Sequence, residues 1–308
     1  MSTNAIQSSH IYSTYFAPRG RSRIYTLGMQ IAQLYLSPFD QIIGFIGEAG
    51  SGKSVLIKGM FPGIELTNDD DGVNVRPLPL LEQEYETGFF TPHTYHLDIR
   101  FETGFHQLSE LADPVRLAVR RGKRIIIEHF DLIYPLLGVN ANLLIGVGEQ
   151  IVITRPNLFG PLPQELCDIV YPSLAYRLMA HSAEDLCEYA MTQEQMLACS
   201  HGDIRHGFVL EFNEHQPDID IPTLEARVNE LIRQDLPIDY YDESHILLGG
   251  AQHYCTGPRT HVRSTGRIIG FRLLDHFIYD HFHKTYMLVG CVGDDSEENI
   301  RKLETIHG

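Results

Sequence analysis

The stretch that decides the fold of the first half of the chain is Gly47-Glu48-Ala49-Gly50-Ser51-Gly52-Lys53-Ser54, set between the apolar run Gln41-Ile42-Ile43-Gly44-Phe45-Ile46 and the periodic segment from Ser54 to Met60. A glycine-rich loop between a buried strand and a helix turns several backbone N–H groups toward one phosphate, and the helix N-terminus adds the positive end of its dipole. In that arrangement Gly47, Gly50, Ser51 and Gly52 form the cradle, Lys53 reaches the β- and γ-phosphates, and the Ser54 hydroxyl ligates Mg²⁺. The pattern predicts that ATP or GTP is bound here with Mg²⁺.

Working outward, residues 27 to 36 carry apolar groups at helical spacing and end at Ser37-Pro38. Ile64 to Thr67, Tyr95 to Phe101, Arg124 to Glu128 and Gln150 to Thr154 read as strands, and Phe105 to Arg120 as a helix. Strands alternating with helices predict an α/β domain with a three-layer, mostly parallel sheet. A phosphate site of this kind needs a carboxylate at the end of a neighbouring buried strand to orient the metal. Glu128, closing Arg124-Ile-Ile-Ile, is the first choice and Asp131 the second. Asn68-Asp69-Asp70-Asp71-Gly72 follows the expected second strand, where Asp69 or Asp70 would accept a hydroxyl proton. In His93-Thr-Tyr-His96-Leu-Asp98 the strand period puts 96 and 98 on one face and 93 on the other, which favours polar or substrate contacts over a metal site.

The chain has 308 residues, enough for two domains with cores of their own. The formal charge of -16 is unevenly spread: 13 basic and 16 acidic residues up to Arg155 give -3, whereas 11 basic and 24 acidic from Pro156 onward give -13. Non-specific cover of a phosphate backbone needs clustered Lys and Arg, so this balance disfavours nucleic acid, most strongly in the second half. Five cysteines without a C-x-x-C pair fit reduced thiols. No apolar run approaches a membrane span and the first residues lack a signal-peptide pattern, so a cytoplasmic protein is expected. Pro156 to Pro163 reads as a linker, which places a P-loop domain at 1–160 and a second, α+β domain at 161–308. The second half is read as a long helical region from Gln164 to about Leu197, a strand at Gly207 to Phe212, a helix from Thr223 to Gln234, and short strands from Ile238 to Phe271. The His276, His281, His283 cluster reads as part of a helix.

The loop with Asp69 and Asp70 beyond it resembles small-molecule P-loop kinases of the uridine kinase and adenylylsulfate kinase type, over about 100 residues. That likeness implies a phosphotransferase acting on a small hydroxyl acceptor. From about 175 to 275 the chain resembles the second additional domain of alanyl- and threonyl-tRNA synthetases and of free-standing alanyl-tRNA editing proteins. The likeness rests on Gly207-Phe-Val-Leu-Glu-Phe212, Leu224-Glu-Ala-Arg-Val-Asn-Glu-Leu-Ile232 and Cys255-Thr-Gly-Pro-Arg-Thr-His261-Val262. It implies a zinc site made by a His-x-x-x-His pair on a helix with the later Cys and His. Here the helix offers His181-Ser-Ala-Glu-Asp185, with a carboxylate for the second histidine, and the Cys255 to His261 interval is longer than the family's. His181, Asp185, Cys255 and His261 are thus the expected Zn²⁺ ligands, with His201 and His206 a fallback pair. Three functions remain open: an ATP-dependent phosphotransferase or NTPase whose second domain binds an amino-acid-like ligand, a zinc-dependent aminoacyl-tRNA editing hydrolase, and a nucleotide-gated binding module with little turnover.

Overall fold

The structure is a computed structural model that describes residues 12–67, 80, 93–213 and 215–307. The chain divides into two compact units, one of residues 1–17 and 21–172, the other of 18–20 and 173–308. Each is a mixture of helices and strands.

The first unit runs β1 (Tyr12–Phe16), α1 (Arg21–Tyr35), β2 (Ile42–Ile46), α2 (Lys53–Met60), β3 (Thr94–Asp98), α3 (Ile99–Glu102), α4 (Leu108–Arg120), β4 (Arg124–Glu128), α5 (Phe130–Leu137), β5 (Leu143–Val147) and β6 (Gln150–Thr154). Its six-stranded sheet has the order β1-β6-β5-β2-β4-β3. β2, β3, β4 and β5 pair parallel, while β6 pairs antiparallel with both β5 and β1. The sheet is therefore mixed. β2 is buried at every position, as a strand covered on both faces must be. Ile43 and Phe45 pack with Ile31 of α1 and Leu56 and Ile57 of α2. Ile42 and Ile46 pack on the other face, with Leu111 and Val115 of α4 and Phe130 and Ile133 of α5. Gly44 lies between them because a Cβ there would come 2.7 Å from the Phe130 ring.

The segment Ile64 to Thr67 is not a strand. Leu66 is buried, but Thr67 is held by its backbone N–H on His96 Nδ1, a side-chain tie that replaces a ladder. Asp69 and Asp70, expected to follow a strand here, lie outside the described residues. The strand expected over Tyr95 to Phe101 stops at Asp98, whose carboxylate accepts the Phe101 N–H and caps α3.

Helix α6 (Pro163–Ala190) starts where a linker is expected to end, and the division between the units falls at Pro172 inside it. Pro172 withholds one N–H from the helical ladder at that point. The sequence-based boundary near 160 lies earlier in the chain.

The second unit continues with α7 (Gln193–Ala198), β7 (Cys199–Ile204), β8 (Gly207–Asn213), α8 (Ile221–Arg233), β9 (Ile238–Asp242), β10 (His245–Leu248), β11 (Ala251–Tyr254), β12 (Arg272–Leu273), β13 (Ile278–Asp280), β14 (Thr285–Cys291) and α9 (Ser296–His307). One antiparallel sheet has the order β12-β14-β8-β7, with β13 on β14, and a smaller one the order β11-β10-β9. Along β8, Phe208, Leu210 and Phe212 pack on Ala183 and Leu186 of α6 and Leu224 and Val228 of α8, while Val209 turns to Ile300 of α9. That alternation follows the period of two. The expected helix around His276 to His283 is instead β13 and a turn, in which Asp280 accepts the N–H groups of Phe282 and His283. Such local acceptance by an aspartate competes with helix formation.

Candidate functional site

In the first unit the glycine loop joins β2 to α2. Gly50 and Gly52 have φ of 80° and 92°, and a Cβ at Gly47 would lie 2.5 Å from the Val147 carbonyl, so the loop requires glycine at these points. Lys53 is buried and donates from Nζ to the Gly47 and Glu48 carbonyls, both at 2.9 Å. One residue on, Ser54 Oγ donates to Glu128 Oε1 at 3.0 Å, and Lys53 Nζ lies 3.9 Å from Glu128 Oε2. Hydroxyl, ammonium and carboxylate converge because β4, ending in Glu128, lies directly beside β2 in the sheet.

A histidine orders this carboxylate. The Thr67 N–H donates to His96 Nδ1 at 3.1 Å, so the ring carries its proton on Nε2, which donates to Glu128 Oε1 at 3.1 Å. Burial opposes ionisation of Glu128, but the His96 bond, the Lys53 charge and the Ser54 hydroxyl overcome it and hold the group below the usual carboxylate range. Lys53 is pulled below its usual value by burial, against the pull of Glu128 and Asp98. Asp98, opposite Glu128 in the β3–β4 register, is pushed up by burial and then by its neighbour's charge. Asp131 stands apart from this group: its Oδ2 accepts from Tyr171 at 3.3 Å and its buried Oδ1 has no hydrogen-bond partner. Of the two sequence candidates, Glu128 meets Ser54.

His129 follows Glu128 in the left-handed region, at φ 55°. A β-carbon is disfavoured there, and burial together with the Lys53 charge lowers this histidine to about 4. Beside His96, a cavity of about 680 Å³ is lined by Phe61, Ile64, Leu80, His93 and Tyr95. Hard oxygen donors at Ser54 and Glu128 suit Mg²⁺ rather than a soft metal.

In the second unit His181, Asp185, Cys255 and His261 come together with ligand atoms all within 4.8 Å of one another. Positions 181 and 185 share a face of α6 by the i, i+4 rule. Cys255 Sγ lies 3.4 Å from His181 Nε2 and 3.7 Å from His261 Nε2; Asp185 lies 3.7 Å from His181 Nε2 and 2.8 Å from His261 Nε2. The three longer separations match the edges of a tetrahedron around a zinc-sized ion, whereas the 2.8 Å one is a hydrogen bond that a bound ion would replace. Both rings are held from behind: His181 Nδ1 donates to the Thr260 carbonyl at 2.9 Å and His261 Nδ1 to that of Pro258 at 3.2 Å, so both Nε2 atoms face inward. Gly257 donates its N–H to Cys255 Sγ at 3.2 Å, and a Cβ on it would come 2.9 Å from the His181 ring.

Burial and the adjacent His261 push His181 well below its usual value. Burial also opposes ionisation of Asp185, but its histidine neighbours outweigh this and hold it below the carboxylate range. Burial and the Asp185 charge push the Cys255 thiol far up. The four residues are the donors of a candidate metal site, and their N, S and O atoms suit Zn²⁺.

No family model and no curated protein matches the chain.

The fallback pair does not form. His201 lies on β7 against Glu188, whereas His206 stacks on Tyr176 with ring centroids 3.7 Å apart. All five cysteines are free, and among the described residues no helix is long and apolar enough to cross a membrane. Sequence reasoning assigned no role to Glu188, Cys199 or His253. Glu188 could have been found, since it continues the 181, 185 stripe of α6 at i+7. Cys199 and His253 reach that stripe only through β7 and β11.

Proposed function

We propose that the first unit binds ATP with Mg²⁺ and transfers or hydrolyses its γ-phosphoryl group. The observation that carries this reading is the Ser54 Oγ to Glu128 Oε1 bond with Lys53 beside it, a hydroxyl, carboxylate and ammonium converging behind a glycine loop. The loop backbone from 47 to 52 would cradle phosphate, Lys53 would move from its own loop carbonyls to the β- and γ-oxygens, and Ser54 and Glu128 would hold Mg²⁺. When bound, Mg²⁺ neutralises charge on the phosphates. The His96 bond keeps Glu128 oriented and ionised. Asp98, a buried carboxylate with a raised proton affinity next to Glu128, is the described group best suited to take a proton from an attacking hydroxyl or water. The cavity beside His96 has the size of a small-molecule site and would receive an acceptor. The resemblance to small-molecule P-loop kinases agrees with this. The test is Mg²⁺-dependent nucleotide hydrolysis, alone and with candidate hydroxyl acceptors, by wild type and Ser54→Ala; turnover that persists undiminished in the variant would overturn it.

A second reading is favoured by the four-residue cluster. Its donors fit Zn²⁺, as the resemblance to the synthetase second additional domain implies, and in a related setting such an ion polarises an aminoacyl ester. Four side-chain ligands complete a tetrahedron, which suits a closed zinc site that stabilises the fold. The net charge of -13 over this half opposes tRNA, so a small amino-acid-like ligand is the better partner. Zinc analysis of wild type and Cys255→Ala tests it, and a zinc content that is the same in the variant as in wild type would remove it.

A further inference from the structure

We propose that the second unit holds a second divalent transition-metal ion, Zn²⁺ by its donor chemistry, on Glu188, Cys199 and His201, with one coordination position left open. The ligand atoms of these three residues lie within 4.8 Å of one another. They come from two elements whose periods put them there. Glu188 is one helical turn beyond Asp185 on the same stripe of α6. Cys199 and His201 are two apart on β7 and share a face of that edge strand. Glu188 Oε1 meets His201 Nε2, and lies 3.7 Å from Cys199 Sγ.

A Glu188–His201 ion pair by itself accounts for those two side chains but not for His253. This ring, on β11, is 7% exposed; its Nε2 has no hydrogen-bond partner and lies 3.8 Å from Glu188 Oε2. A buried polar atom without a partner is costly, and an unplaced ion or water is a standard cause. Asp185, Glu188 and His253 also lie within 4.8 Å of one another, so His253 stands between the first cluster and the second. An ion on Glu188 with water in its open position provides the partner that His253 lacks.

Charge and proton balance agree. Binding exchanges the Cys199 Sγ proton and the proton that His201 Nε2 shares with Glu188 Oε1 for the ion, both protons leaving to solvent; one thiolate and one carboxylate then neutralise the divalent charge. The first cluster, with Cys255 and Asp185, balances in the same way. Mixed S, N and O donors select Zn²⁺ over Mg²⁺ or Ca²⁺. Three protein ligands with an open fourth position is the pattern of a zinc that activates water, whereas the four-ligand cluster is closed. The ligand class at the open position is therefore water or hydroxide, exchangeable for a thiolate or amine.

The inference is independent of the nucleotide reading. The experiment is Zn²⁺ and Co²⁺ reloading of the full-length, chelator-stripped protein, followed by elemental analysis and by the thiolate-to-cobalt charge-transfer band. Wild type is expected to take up about two equivalents per chain. Cys199→Ser/His201→Ala is expected to keep about one, with the charge-transfer intensity roughly halved, and His181→Ala/Cys255→Ser to keep the other. A wild type that takes up about one equivalent, retained in the Cys199/His201 variant, overturns the second site. Loss of that single equivalent in the Cys199/His201 variant instead supports this site and removes the first. If the Cys199/His201 variant fails to fold by circular dichroism, wild type and His181→Ala/Cys255→Ser decide: two equivalents in wild type, or a single equivalent that the His181/Cys255 variant keeps, support the second site, and a single equivalent lost in that variant contradicts it.

Discussion

Replacing Glu128 by glutamine keeps the shape of the side chain and removes its charge. The carboxylate is 2% exposed and receives hydrogen bonds from Ser54 and His96, with Lys53 at 3.9 Å. Hydrogen bonds to a charged acceptor are worth about 1.5–3 kcal/mol and neutral ones about 0.5–1.5. Both bonds go to Oε1, which the amide oxygen can go on accepting as a neutral group, but the NH₂ group then replaces Oε2 and faces the Lys53 ammonium. We expect Glu128→Gln to lose about 2 kcal/mol of stability, less than the roughly 3–5 kcal/mol of a broken buried pair because Lys53 keeps its bonds to Gly47 and Glu48. The larger effect is on the metal. An amide in place of the carboxylate should weaken Mg²⁺ about 10–100-fold, while nucleotide affinity without Mg²⁺ stays within about threefold because the loop and Lys53 are intact. The assay is a Mg²⁺ titration of ATP hydrolysis and of fluorescent-nucleotide binding, with urea unfolding run in parallel. A folded variant with the wild-type Mg²⁺ dependence would refute the assignment of Glu128.

Other outcomes follow from the same geometry. Gly47→Ala should lose nucleotide binding and about 1–3 kcal/mol of stability, read by calorimetry, because its Cβ meets the Val147 carbonyl at 2.5 Å. His129 gives a pH signature: below 6.5 the unfolded chain takes up a proton that the native ring accepts only near 4, so its contribution is complete above pH 6.5 and is lost as pH falls through that window. His129→Asn, which tolerates the left-handed backbone, should flatten the acid limb of stability against pH by about 2–3 kcal/mol, and an unchanged limb would exclude this role. Cys255→Ala should weaken zinc at the first cluster by at least about 100-fold in chelator competition, with no change in Mg²⁺-dependent nucleotide binding.

The glycine loop and Glu128 could be read from sequence because each rests on a local necessity, glycine where backbone φ is positive and a carboxylate closing an apolar strand. Asp98 was harder to weigh. Its strand period was visible, but only pairing of β3 with β4 brings it beside Glu128. Ile64 to Thr67 misled because its apolar alternation is real, Leu66 being buried, while its backbone is tied by His96 rather than by a strand. β1 went unread since it is an edge strand whose alternation never reaches full burial. In the second unit His181 and Asp185 stand out through the resemblance to the synthetase second additional domain, whose helix pair has the same i, i+4 spacing, and the longer Cys255 to His261 loop still closes on them, with Gly257 against the His181 ring. His253, two residues before Cys255 and on the same side of its strand, acquires meaning only once α6 is laid beside it.

The most direct test of the central claim is isothermal titration of full-length wild type and Lys53→Ala with ATP in the presence and absence of Mg²⁺. The account predicts binding by wild type that Mg²⁺ strengthens and that Lys53→Ala weakens at least about tenfold, since the variant loses the only buried ammonium in the loop among the described residues. No binding by the folded wild type, or equal binding by a folded Lys53→Ala, would contradict it.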